Sequence, residues 1–280
     1  MEKKWTTIIV PKRKLLDLRL WELWQYRDLI WLFIKRDFST KYKQTILGPL
    51  WFVIQPLFTT LMQTFVFGNI AKLPTDGLPQ FLFYMAGNVP WLYFSLCLSG
   101  TSNTFVNNSG VFGKVYFPRL TAPIATVISS GLNLLIQFAM FMGFFLYFLC
   151  RGSDIRITWI AALTPLLIIQ IAMLGLGFGI IISSLTTKYR DLQALVAFGV
   201  SLWMYATPVI YGASTLSPKL FTVIMLNPMS PIIELMRYGW LGSGTTPFFY
   251  WGISWITTAV VLFLGVVLFN KVEKNFMDTV

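Results

Sequence analysis

Histidine is absent from the 280 residues, and cysteine occurs only at Cys97 and Cys150, each within or at the end of an apolar run. Zinc sites and Ser/His or Cys/His nucleophilic catalysis therefore lack their parts, no metal site is expected, and the two thiols read as small packing residues with no implied disulfide. The carboxylates Asp37, Asp76, Asp154, Asp191 and Glu234 are scattered along the chain rather than paired for acid–base work. Glu234 and Arg237 stand one helical turn apart and can neutralise each other, which reads as a local structural pair. No G-x-x-x-x-G-K-[ST] phosphate loop occurs. The nearest stretch, Gly110 to Lys114, lacks the spacing and the hydroxyl, and the GLGFG run at 175–179 lies inside an apolar helix with no lysine after it. The chain is not expected to hydrolyse ATP or to act as an enzyme. Aromatic residues make up 17%, with Trp51, Phe52, Phe83, Tyr84, Trp91, Tyr93 and Phe94 gathered in the first two apolar runs. Most read as interface-belt residues, while a minority have flat faces suited to stacking on sugar rings along a conduit.

The elements that must position these groups follow from where charge is missing. Only 12% of residues are charged, 56% are hydrophobic, and mean hydropathy is +0.66, against about 25% charged in soluble domains. No charge falls in 46–71, 77–113, 120–150, 157–187, 192–218 or 238–270. A helix needs about 20 apolar residues to cross a hydrocarbon core about 30 Å thick, so six membrane spans are expected in an all-α integral membrane protein. A soluble enzyme, a nucleic-acid-binding domain and a secreted disulfide scaffold are excluded. The net charge of +11 concentrates on one side: with a cytoplasmic N-terminus, the inner segments hold 17 basic residues and the outer ones 5. That asymmetry places both termini in the cytoplasm and explains the basic excess through anionic lipid rather than nucleic acid. No cleavable signal is expected at the start. No acidic residue lies mid-span, which disfavours coupling to protons or sodium.

Along the chain, a basic tail and an amphipathic segment over 1–45 precede a six-span domain over 46–280. Residues 15–40 repeat Leu16, Leu20, Leu23, Trp24, Trp31, Ile34 and Phe38 at helical spacing, broken by charges, and composition alone reads this as an anchor lying along the inner membrane face. The first span, Ile46 to Gly68, contains Pro49, Gln55 and Pro56. The second, Phe81 to Val106, carries so many polar residues, among them Asn88 and Thr101, that one face must meet something other than lipid. Gly175, Gly179 and Ser183 form a small-residue ridge on the fourth span for close helix approach. The fifth span ends near Pro208. Residues 213–245, broken by prolines and charge, are too short to cross twice and read as a re-entrant helical hairpin on the outer side.

Four stretches together resemble one family: KRDFSTKYKQTILGPLWFVIQP at 35–56, KVYFPRLTAPIATVISS at 114–130, KYRDLQALVAFGVSLWMYATPVIY at 188–211 and NPMSPIIELMRYGWLG at 227–242. In this order they are similar to the permeases of ABC-2 type exporters that move polysaccharides across the bacterial inner membrane, most of all those for O-antigen, with capsule and teichoic-acid exporters next. The basic tail at 1–14 is not part of the pattern. The resemblance implies a homodimer, each protomer bound to a separate nucleotide-binding ATPase subunit that holds ATP and Mg. It turns 15–40 from a plain anchor into a docking surface, with Arg36, Asp37, Asn108, Val111, Phe112, Lys114, Tyr189, Arg190 and Asp191 as partner-facing residues. The implied substrate is an undecaprenyl-diphosphate-linked glycan. Lys35, Arg36, Lys41 and Lys43 are then the cations placed for its diphosphate, although inner-side anchoring also accounts for them. Trp51, Tyr84, Trp91 and Tyr93 are the expected sugar-facing residues. A same-architecture permease for drugs or small lipids, a membrane enzyme acting on lipid-linked sugars and a passive channel are the competing readings.

Overall fold

The computed structural model describes residues 20–42, 48–112, 117–186 and 192–275, and among them every regular element is helical. Helices α1 (Leu20–Gln25) and α2 (Arg27–Tyr42) precede α3 (Trp51–Gln63), which widens into a π-helical segment at Thr64–Ile70. Then come α4 (Gln80–Ser102), the single-turn α5 (Thr104–Asn107) and α6 (Ser109–Phe112), α7 (Thr121–Cys150) and α8 (Thr164–Thr186), the last entered through a tight turn at Trp159–Leu163. Helices α9 (Leu192–Tyr205), α10 (Pro218–Met225), α11 (Met229–Leu241) and α12 (Phe248–Asn275) complete the chain. Five stretches are long and apolar enough to span: Trp51–Ile70, Gln80–Ser102, Thr121–Cys150, Trp159–Thr186 and Phe248–Lys271.

Helix α4 is the central post. In its most apolar window 78% of residues are buried inside the protein, against 22% for the α3 and α12 spans, which explains its polarity. Asn88, Thr101 and Ser102 face protein on every side, and Asn88 Nδ2 donates to Gln63 Oε1 (2.6 Å) and Thr60 Oγ1 (3.2 Å) of α3. The predicted glycine ridge packs α8 on α4: a Cβ added at Gly175 would lie 2.6 Å from Cys97 Cβ, and one at Gly179 2.5 Å from Thr101 Cβ. Gly177, on the opposite side of α8, gives the same close approach to α12 at Leu262. One apolar glycine run thus serves two helix interfaces.

The fifth predicted span takes a different form. Helix α9 has 14 residues, about 21 Å at 1.5 Å per residue, and the segment before it lies outside the described residues. Trp203 near its end packs on Phe94 and Phe178, each in the middle of its own helix, so α9 ends inside the bundle. The space beyond is filled by α10 and α11, bent by 103° to each other. Their turn, in which Leu226 is exposed, is tied to its neighbours by hydrogen bonds. Asn227 Nδ2 donates to Thr207 Oγ1 (2.8 Å) and the Ala206 carbonyl (3.1 Å), and Asn227 Oδ1 accepts from Trp203 Nε1 (3.1 Å) and the Met229 amide (3.2 Å). Ser254 Oγ donates to the Pro228 carbonyl (2.7 Å) and accepts from Gln170 Nε2 (2.8 Å). Both ends of the hairpin return to one residue: Ser214 and Ser243 each donate to Asp76.

Candidate functional site

A groove of about 850 Å³ opens between α3 and α9. Four-residue spacing places Trp51, Gln55, Thr59 and Gln63 along one face of α3, and Met204, Tyr205 and Ile210 form the facing wall. Among the described residues no charged side chain lines it. The surface is an apolar wall with an uncharged hydrogen-bonding stripe, suited to a neutral, hydroxyl-rich solute rather than to an ion. Gln55 is exposed in the middle of a span, where lipid would leave its side-chain amide without a partner at a cost of about 1–3 kcal/mol by protein mutational scales, whereas exposed Thr59 donates its hydroxyl to the Gln55 carbonyl (2.9 Å). This face therefore calls for protein or a polar occupant.

Of the four expected sugar-facing aromatics, only Trp51 lies on the groove. Tyr84, Trp91 and Tyr93 are 0%, 3% and 5% exposed. They sit in the core of the chain because α4, expected to show one face outward, is covered on most sides. Trp91 packs on Phe94 and Trp203. Sequence reasoning missed Thr59, Gln63 and Tyr205 as lining residues, although the four-residue polar stripe on the first span was readable.

At the opposite end of α4 a second cluster gathers Phe33 and Ile34 of α2, Phe105, Phe112, Phe117, Ile180 and Phe269. Here Arg36, Asp37 and Asn108, expected to face the partner, are brought together. Arg36 Nη2 donates to Asp37 Oδ1 (2.8 Å) and Asn108 Oδ1 (3.2 Å), and its guanidinium lies over Phe33 at 4.7 Å. Arg36 is thus engaged within the protein, not free for a diphosphate. Val111 is partly exposed beside this group, whereas Phe112, expected to face a partner, is 3% exposed and packs on Phe105 and Phe117. Lys35 is exposed over Trp31 at 5.7 Å, as Arg27 is over Trp24 at 5.9 Å. Lys41 lies in α2, but its side chain, like Lys43, Lys114, Tyr189, Arg190 and Asp191, is outside what the structure describes.

The N-terminal end of α4 holds a charge node larger than the local pair expected from sequence. Glu234 and Arg237 are both fully buried, with Arg237 Nη1 2.6 Å from Glu234 Oε1. Arg237 Nη2 also donates to the carbonyls of Pro208 (2.9 Å) and Val209 (3.1 Å), and its guanidinium stacks on Phe83 at 3.9 Å. It thereby caps the chain just beyond α9, next to the groove wall. Glu234 Oε2 accepts from the Thr245 amide (3.3 Å) and Oγ1 (3.0 Å). Gly87 makes the room, since a Cβ there would lie 2.8 Å from the Val209 carbonyl oxygen. Among the described residues no three metal-ligating side chains come together.

The sequence matches, over residues 28–241, the family described as ABC-2 type transporter. It is 27% identical over 252 residues to an O-antigen export system permease protein RfbA of Klebsiella pneumoniae, covering 90% of this chain and 94% of that one. A protein of the same name from Myxococcus xanthus is 27% identical over 216 residues, 77% and 80% of the two chains. The polysialic acid transport protein KpsM of Escherichia coli is 24% identical over 256 residues, 87% and 93%.

Proposed function

Because the chain belongs to the ABC-2 type transporter membrane family, we propose that it is the permease subunit of an ATP-driven exporter carrying a lipid-linked polysaccharide, an O-antigen, across the bacterial inner membrane. The observation that carries this reading is the α3–α9 groove, where an uncharged polar stripe runs along an exposed, otherwise apolar span. A second copy of the chain placed on this face closes the groove into a conduit whose walls slide past sugar hydroxyls. The relatives named for O-antigen and polysialic acid transport cover nearly the whole chain, which favours a glycan over a drug or a small lipid.

In this reading the aromatic cluster at the inner end is the mount for the ATPase subunit, which binds ATP and Mg. Arg36, Asp37 and Val111 form its contact surface, while the buried Asn108 and Phe112 hold that surface together from within. The glycan enters as its undecaprenyl-diphosphate conjugate. Exposed Lys35 on α2, with Lys41 and Lys43 beyond it, supplies cations for the diphosphate at the inner interface. The hairpin α10–α11 is re-entrant from the outer side. Its two ends meeting at Asp76 and its turn satisfied by α9 and α12 support that reading, since backbone turns at membrane depth must be covered by protein. With α9 as the short fifth span, both termini lie in the cytoplasm.

The test is reconstitution in vesicles with undecaprenyl-diphosphate-linked O-antigen. ATP-dependent appearance of glycan on the far side is expected only when the permease and its ATPase are both present. Uphill movement by this chain alone, or ATPase stimulation by amphipathic drugs but not by the glycolipid, would overturn the proposal.

A further inference from the structure

We infer that Asp76 is a positioning residue for export: it clasps both feet of the α10–α11 hairpin, and release of this clasp opens the outer end of the groove. Two serines 29 positions apart in sequence, one on each side of the hairpin, converge on it. Ser214 Oγ donates to the carboxylate Oδ1 at 2.5 Å and Ser243 Oγ to the main-chain carbonyl at 2.8 Å. Asp76 adopts φ +53°, a left-handed conformation costly for a residue with a side chain, and that turn presents its carboxylate and carbonyl to the two feet at once. The feet arrive as glycine backbone. A Cβ at Gly212 would lie 2.9 Å from Asp76 Oδ2, and one at Gly244 3.2 Å from Glu234 Oε2 and 3.9 Å from Asp76 Oδ2.

The clasp is continuous with the groove wall. Asp76 lies within electrostatic reach of Arg237, which bridges Glu234 to the carbonyls of Pro208 and Val209. Those carbonyls stand between Tyr205 and Ile210, both of which line the groove. The node is also left unfinished on two atoms: Asp76 Oδ2 accepts no hydrogen bond and Arg237 Nε donates none, although both are buried. One guanidinium is therefore hydrogen-bonded to the Glu234 carboxylate, while the Asp76 carboxylate lies only within its electrostatic reach. That leaves Arg237 an alternative partner when the hairpin moves, so the hairpin and the end of α9 shift together.

The role in export rests on the proposed function; the clasp itself is tested without substrate. The full chain, with its ATPase partner, carries Ala213→Cys, a position 1% exposed beside Ser214, in a Cys150→Ser background that removes the exposed native thiol. A membrane-impermeant maleimide is added from outside in the absence of nucleotide. Asp76→Ala is expected to raise the labelling rate about tenfold or more, the shift in open population for losing a hydrogen bond to a charged group. Asp76→Asn, which keeps an acceptor for Ser214, is expected to stay within about twofold of the parent. Should Asp76→Ala fail to accumulate, Ser243→Ala takes its place with an expected rise of roughly fivefold. Unchanged labelling in Asp76→Ala or its substitute, or equal acceleration by Asn and Ala, would overturn the clasp. With ATP, the parent is expected to label faster and Asp76→Ala to gain nothing further. An ATP response kept in full by Asp76→Ala would overturn the link to opening. Lack of ATP-dependent glycan movement in the parent, with the nucleotide-free result intact, would instead fail the proposed function.

Discussion

The charge node makes a prediction whose size follows from burial. Glu234 and Arg237 are both 0% exposed and meet at 2.6 Å. Removing one partner leaves the other as an uncompensated buried charge, a loss of about 3–5 kcal/mol. Glu234→Leu strands the guanidinium. Arg237→Met strands the carboxylate and also the Pro208 and Val209 carbonyls, adding about 1 kcal/mol for each. The two single losses therefore sum to at least about 8 kcal/mol. In the double variant the charge penalty disappears and only neutral groups lose a partner: the two carbonyls, the Thr245 amide and the Thr245 hydroxyl, about 4 kcal/mol in all. The strong non-additivity is the signature. It is read by thermal unfolding of the purified protein in detergent, where each kcal/mol moves Tm by roughly 2–4 °C for chains of this size. Each single variant should lose about 6 °C or more, and the double variant should lose less than Arg237→Met alone. A double variant as damaged as the sum of the singles would refute mutual neutralisation, and a silent Glu234→Leu would mean that another group balances Arg237.

Gly179→Val inserts a branched side chain where even a Cβ would lie 2.5 Å from Thr101; it is expected to cost about 1–3 kcal/mol, seen as a lower Tm, while Gly199→Val on open α9 surface should change little. At the inner end, Phe112→Ala is expected to lower stability by about 3–5 kcal/mol as a core truncation, whereas Asp37→Lys should leave Tm nearly unchanged and weaken co-purification with the ATPase. The reverse pattern would return Phe112 to the contact surface.

How far the sequence disclosed this molecule depends on the range of the interaction involved. Spans set by hydrophobic run length were readable to within a few residues, as Thr121–Cys150 and Phe248–Lys271 show. So was the glycine ridge, because small residues four apart have one obvious packing use, and the Glu234–Arg237 pair was readable because it lies within one helical turn. What sequence could not disclose was which span occupies the middle. The polarity of α4 pointed to a non-lipid face, but only the fold shows that it is enclosed, which turns Tyr84, Trp91 and Tyr93 from conduit residues into core. Likewise the partners of Arg237 at Pro208 and Val209, and those of Asp76 at Ser214 and Ser243, are separated by 28 to 167 residues. No local period encodes such pairings. Phe112 illustrates the same limit: a phenylalanine in a short polar loop looks like a docking residue, but the fold buries it against Phe105 and Phe117.

The two ends of the protomer are joined by an element built not to slip. Helix α4 carries Phe83 and Gly87 at the outer node and runs into α5, whose Phe105 stacks on Phe269 in the inner cluster at 4.6 Å. Beside it, α8 places Ile180 in that same inner cluster. Its lead-in turn carries the Ala161 backbone, which meets Gly239 of α11 so closely that a Cβ there would lie 2.9 Å from the Ala161 amide nitrogen. Contact through Gly175 and Gly179 leaves no room for α8 to slide along α4 without backbone meeting side chain. The groove walls differ: α3 and α9 are mostly open on their outer faces, and the polar ties of α9 to other elements lie at its outer end, through Trp203 and Thr207 to Asn227. On the proposed reading, a force applied to that aromatic cluster passes through the tightly packed α4–α8 pair to the node that holds the hairpin and the end of α9, while the walls between are left to part. If that division is correct, Gly179→Val should do more than destabilise: with the ATPase bound, it should weaken the ATP-dependent rise in Ala213→Cys labelling while ATP hydrolysis continues. Equal loss of both would make α4–α8 packing a matter of folding alone.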